Sequence, residues 1–229
     1  MPDTSAPMPA PVRPRAAPAR RRPAERYSRP IYDEEIVIQS DHAQRLIRRG
    51  LLAVVRALYA IDVVLRILGE DESMDEVEAL VDRLIAAFAD DVNGEIARLN
   101  KLVADHGVSL RNLRYDKPRR MVVHISSPQL ASYVDQIKQL DAMEQLVDRL
   151  WLGKVLTNQQ RSRSGYAWRV KMQKIASEIV AIEKRARAAV VRRGLDAQMQ
   201  AEDERLGGAQ QSLGFDDEEA PETAPSAPD

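Results

Sequence analysis

Arg119-Arg120-Met121-Val122-Val123-His124-Ile125-Ser126 is the stretch on which the fold turns. It is rich in β-branched residues, and Met121, Val123 and Ile125 alternate with Val122, His124 and Ser126, the period of two that predicts a strand with one buried face. No other segment of the chain reads as convincingly as a strand. A lone strand leaves rows of backbone donors and acceptors on both edges, costly if buried and aggregation-prone if exposed. The economical remedy is pairing with the same strand of a second subunit about a two-fold axis, which predicts a homodimer.

Outward from the strand the period changes to that of helices. Ser127-Pro128 supplies a capping side chain followed by proline at the first helical position. Leu130, Tyr133, Val134, Ile137, Leu140, Met143, Val147, Leu150 and Trp151 then line one face of a helix that Gly153 ends. Thr157-Asn158-Gln159-Gln160 is a capping-box pattern opening a further helix, whose stripe runs from Trp168 through Met172, Ile175, Ile179, Ile182 and Ala186 to Val190, up to Gly194. Before the strand, Leu46 to Leu68 repeats apolar residues every three or four positions, predicting a helix capped by Asp41 and stopped at Gly69. Ser73 and Glu76 form a capping box for another, running through Val77, Leu84, Phe88 and Val103 to about His106, with Gly107 as its stop. The expected fold is therefore mainly α: two helical hairpins, with one short strand preceding the second and pairing across a dimer.

The two ends differ in charge. Residues 1–30 hold eight of the thirteen prolines and seven arginines against Asp3 and Glu25, a net of +5, and predict a disordered basic arm. Residues 201–229 hold nine acids against Arg205, a net of −8, within an acidic tail, 195–229, expected to be disordered. Between them lie an N-terminal helical hairpin, 31–107, and a strand-helix-helix region for DNA binding and dimerisation, 108–194. The basic arm suits phosphates or is simply solvated; the acidic end either solubilises the chain or competes for its basic surface.

A two-stranded ribbon fits the DNA major groove, with one face on the dimer core and the other on base edges. The alternation then assigns Met121, Val123 and Ile125 to the core. Val122 would meet a thymine methyl, His124 and Ser126 polar base edges, and Arg119 and Arg120 phosphate or guanine. The amino end of the last helix, with Asn158, Gln159, Arg161 and Arg163, suits a phosphate. Plain surface roles for His124 and these arginines are equally compatible with the residue types.

The run from Tyr115 to Arg161, with HISSPQLASYVDQIKQLD and then LVDRLWLGKVLTNQQR, resembles the AcaB-type transcriptional regulators of conjugative plasmids and integrative elements. The resemblance covers the second half of the ordered body well and the first hairpin loosely. It implies a ribbon-helix-helix activator of transfer genes that binds promoter DNA as a dimer, with the groove-facing role falling on Val122, His124 and Ser126. Two features depart from that pattern. The helix after the strand is about 25 residues long, far longer than a minimal ribbon-helix-helix needs, and the reading face has only one strongly polar ring.

Enzymatic readings find little support. There is no phosphate-binding glycine loop and no nucleophile elbow; His42, His106 and His124 lie in separate elements without ligand spacing, and no cysteine is present. Asp90-Asp91 and Asp33-Glu34-Glu35 read as solvated charge, and Trp151 and Trp168 as core anchors. No cofactor or metal site is expected, nor any small-molecule ligand. No stretch has the apolar length of a membrane span, and the arginine-rich start does not resemble a secretion signal, so a cytoplasmic location is expected. The alternative to a DNA-binding regulator is a helical scaffold or interaction protein of an integrative conjugative element.

Overall fold

A computed structural model describes residues 30–65, 71–109 and 113–201, with the backbone of 215–218. The basic arm, the stop at Gly69 and most of the acidic tail lie outside these residues. The chain is mainly helical. Strand β1 is Tyr32–Ile38, and helix α1 follows from Asp41 as continuous right-handed segments: α-helical over Asp41–Leu46 and Leu52–Tyr59, π-helical over Ile47–Leu51 and Ala60–Leu65. Helix α2 is Asp71–Asp105, β2 Arg119–Ile125, α3 Pro128–Leu152, α4 Asn158–Arg192 and β3 Phe215–Glu218.

The helix boundaries follow local chemistry. The Ser127 hydroxyl accepts from the Leu130 amide, and Pro128 occupies the first turn of α3, where its missing N–H costs no hydrogen bond. At the start of α4 Thr157 and Gln160 form a reciprocal capping box: Thr157 Oγ1 accepts from the Gln160 amide at 3.2 Å, and Gln160 Oε1 from the Thr157 amide at 2.8 Å. Gly107 (φ 61°) and Gly194 (φ 76°) sit in the left-handed region just past α2 and α4, where side chains are disfavoured. Two expected caps are displaced. Ser40 rather than Asp41 caps α1, leaving Asp41 free to pair with Arg45 at 2.7 Å, and α2 begins at Asp71, placing Ser73 inside the helix.

The sheet differs from expectation in a way that matters. β1 pairs antiparallel with β2 along its whole length, Tyr32 opposite Ile125 and Ile38 opposite Arg119, and β3 pairs antiparallel with Arg120–Val123 on the other edge. The order is β1-β2-β3. The premise that β2 lacks a partner in its own chain is therefore corrected: both edges are paired internally. β1 escaped the sequence reading because only Ile36 and Ile38 in IYDEEIVI face inward fully, between three consecutive acids and a single exposed valine.

The alternation within β2 holds. Met121, Val123 and Ile125 are 1, 0 and 2 % exposed, while Val122 and His124 are half-buried on the other face. The inner face packs on α3. Helix α2 also packs on α3, and α4 packs on α1, and buried side chains from every described helix and from β1 and β2 form one continuous core. Two internal ties fix the start of α1 to the sheet: Asp141 of α3 accepts from the Gln39 and Ser40 amides, and Gln44 Nε2 donates to the carbonyls of Ile38 and Lys117. Residues 196–201 are helical, and Met199 there is buried; both they and β3 fall within the stretch expected to be disordered.

Candidate nucleic-acid interface

The nine residues singled out for DNA fall into two groups. The strand group lies on β2 and just after it, with Val122 and His124 on the sheet's outer face and half-buried Ser126 beyond the strand's end. The face is not electrostatically bare. Register puts Asp33 opposite His124, Glu35 opposite Val122 and Val37 opposite Arg120. Asp33 Oδ1 lies 2.6 Å from His124 Nδ1, so a carboxylate already engages the one aromatic polar group of the set. Arg120 is exposed at the strand start, while Arg119 is half-buried.

The helix group sits in the first two turns of α4. Arg161 turns inward: its Nε donates to Asp148 Oδ1, and its guanidinium stacks 4.2 Å above the Trp151 ring. Asn158 Oδ1 accepts from Trp151 Nε1. The indole is therefore a hinge post for the α3–α4 turn, half-buried and polar-tipped, and not a deep core anchor. Gln159 and Arg163 point to solvent. Of the four, Asn158 and Arg161 are engaged within the protein, by Trp151 and Asp148, and Gln159 and Arg163 are the exposed pair.

Tyr115 and Asp148, both unmarked by the sequence reading, join the two groups. Tyr115, four residues before β2, donates its hydroxyl to Asp148 Oδ2 at 2.7 Å, and Asp148 Oδ1 takes Arg161. Burial and the Asp148 carboxylate push the Tyr115 phenol far above its ordinary value, so it stays a donor at any ordinary pH. The lead-in to β2 and the amino end of α4 are thus tied through one carboxylate. The sequence signal was available: Asp141, Glu144 and Asp148 recur at helical spacing along one side of α3, beside the apolar stripe.

α4 carries the largest concentration of positive charge among the described elements. Nine arginines and lysines face Glu178 and Glu183 alone, and Arg163, Lys171, Lys174, Lys184, Arg185 and Arg192 are exposed. Such a helix attracts a polyanion without reading its sequence. Among the described residues no group of three or more histidines or carboxylates is arranged to hold a metal ion, and no helix is long and apolar enough to cross a membrane.

A sheet-edged bundle in which a β-strand leads into two long helices of one core is the class of fold defined here. The crystal structure of AcaB from uropathogenic E. coli shares it, with a TM-score of 0.72 and 36% sequence identity over 75% of this chain and 89% of that one. The chain belongs to the AcaB family. No protein-family profile matches it, and no curated protein does.

Proposed function

We propose that this protein is a DNA-binding transcriptional regulator of mobile-element transfer genes, an activator acting as a homodimer. The observation that carries the reading is membership of the AcaB family, over 75% of this chain; the resemblance of Tyr115 to Arg161 to that family's regulators implies a ribbon-helix-helix activator. The exposed basic face of α4 supports it physically, since phosphate contacts supply much of the affinity in such complexes. In this reading β2 reads base edges through Val122, His124 and Ser126, with Arg119 and Arg120 beside them, and Gln159 and Arg163 hold a phosphate, while Asn158 and Arg161 shape the turn that presents them.

The paired sheet sets the conditions for that activity. A homodimeric ribbon would form on the β2 edge that β3 lines, because the β1 edge is paired along all seven residues. Asp33 would have to release His124 Nδ1 before that nitrogen could meet a base. A second reading, a helical scaffold of a conjugative element that does not bind DNA sequence-specifically, is favoured by the Asp33 and Glu35 carboxylates beside β2, which repel phosphate. Fluorescence anisotropy with duplex DNA from the protein's own upstream region, at two salt concentrations and with excess unrelated duplex as competitor, separates the readings. Sequence-specific binding weakens with salt but survives excess unrelated duplex, whereas the scaffold reading allows only the sequence-independent attraction of a basic helix, which unrelated duplex competes away.

A further inference from the structure

Asp141, Glu144 and Asp148 stand at helical spacing on one side of α3, and two of the three are fully engaged. Asp141 accepts from the Gln39 and Ser40 amides and from Gln145 Nε2, and Asp148 from Tyr115 and Arg161. The middle one is different. Glu144 is 3 % exposed, and its Oε1 has no hydrogen-bond partner among the described residues; the buried Nδ1 of His42 on α1 has none either. Both side chains line a cleft of about 540 Å³ between the start of α1, the lead-in to β2 and the amino end of α4.

This arrangement is built rather than left over. Helix α4 passes it at Gly165, where a Cβ would stand 2.5 Å from His42 Nε2 and 3.0 Å from Glu144 Oε2, so glycine is what lets both polar groups keep their places. The outer part of the cleft carries exposed charges of both signs: Arg48, which stands 3.8 Å from Asp41, and Lys117 and Asp116. Arg161 also lines it but is committed to Asp148.

The chemistry of a ligand follows from what is unmet. A buried carboxyl group without a partner calls either for a proton or for a donor in the proton's place, and the neighbouring Asp141 and Asp148 make a positively charged donor, which lets Glu144 ionise, better than a neutral one. Lys117 then favours an anionic group at the other end of the same molecule. We propose that the cleft binds a small zwitterionic metabolite of the amino-acid class, its ammonium group on Glu144 and its carboxylate toward Lys117. His42 Nδ1 is placed beside the same floor to take a further polar contact.

The test needs no DNA and so stands or falls separately from the regulatory reading. The full chain is titrated calorimetrically with each of the twenty L-amino acids, and any binder is compared with its analogue lacking the amine and with putrescine, a diamine lacking the anion. Saturable binding of at least one amino acid is expected, with neither analogue binding comparably. Glu144→Gln should weaken that binding by more than about tenfold and Lys117→Ala by roughly threefold or more, as loss of charge-assisted contacts implies. Glu144→Gln keeps the side chain's size, and a circular dichroism melt confirms that the variant is folded; Lys117→Ala is a surface change. The proposal is overturned if no amino acid binds at millimolar concentration, if putrescine binds as well as the best amino acid, or if folded Glu144→Gln binds that amino acid like the wild type.

Discussion

Asp33 of β1 stands directly across the ladder from His124 of β2, its Oδ1 2.6 Å from the imidazole Nδ1. A carboxylate so placed both occupies the ring and repels phosphate on the face where DNA reading would occur. Asp33→Asn keeps the size of the side chain and removes the charge. It should raise affinity for duplex DNA by roughly 2- to 5-fold, the scale of one exposed charge contact, measured by anisotropy at fixed salt. Unchanged affinity would mean that this face does not approach DNA.

β3 covers Arg120–Val123 on the one edge of β2 that β1 leaves open. A chain ending at residue 201 should therefore show more dimer by light scattering and tighter DNA binding. The combined variant Asp216→Asn, Asp217→Asn, Glu218→Gln separates the two causes. It removes the strand's charge and leaves its backbone, so it should tighten DNA binding while leaving the dimer fraction unchanged. If truncation leaves the molecule as monomeric as before, the β2 edge is not a subunit interface.

Burial, reinforced by Asp148 and Asp141 against the opposing Arg161, raises the Glu144 carboxyl to about 8. The unfolded chain gives up this proton near the ordinary value of 4.5, so between that value and about 8 folding takes a proton up and stability falls as pH rises. His42, facing the same floor from α1, is lowered by burial and by Arg169 and has the opposite sign: it costs stability as pH falls below its ordinary 6.5. Between 6.5 and about 8 the Glu144 effect therefore stands nearly alone. Thermal melts across that window should show the wild type losing stability with rising pH and Glu144→Gln holding level. Parallel curves for the two proteins would contradict the assignment.

Leu130, fully buried at the first turn of α3, packs in the core shared with the sheet. Leu130→Ala should lower unfolding free energy by about 2–5 kcal/mol in urea, through lost burial and the cavity left behind. Leu152, at the far end of the same helix, is 48 % exposed, and its replacement by alanine should change stability by no more than about 0.5 kcal/mol.

Much of this fold is legible in the sequence. Helices α3 and α4 announced themselves through Ser127-Pro128 and the Thr157–Gln160 box, because caps are local chemistry. The inward face of β2 was equally plain, since Met121, Val123 and Ile125 obey the pleat. β1 was hidden because its pairing with β2 spans some ninety residues and its own pattern is diluted by Asp33, Glu34 and Glu35; even Glu34 is accommodated only by Lys138, 2.6 Å away on α3. The π-helical stretches of α1 leave no mark on a three-and-four spacing. At the candidate site, sequence could nominate Arg161 and Asn158 as polar groups at a helix start but not foresee that Asp148 and Trp151 would claim them. Those partners come from tertiary packing, which residue type alone does not encode.

DNA binding itself is most directly tested by anisotropy of the full-length protein on duplex DNA from its own upstream region, at low and at moderate salt, beside the double variant Arg120→Ala, His124→Ala. The expected result is saturable wild-type binding that weakens steeply with salt, as release of counterions from several phosphates requires, and that the double variant loses by about tenfold or more. No binding at low salt, or equal binding by wild type and double variant, would contradict a DNA-reading β2.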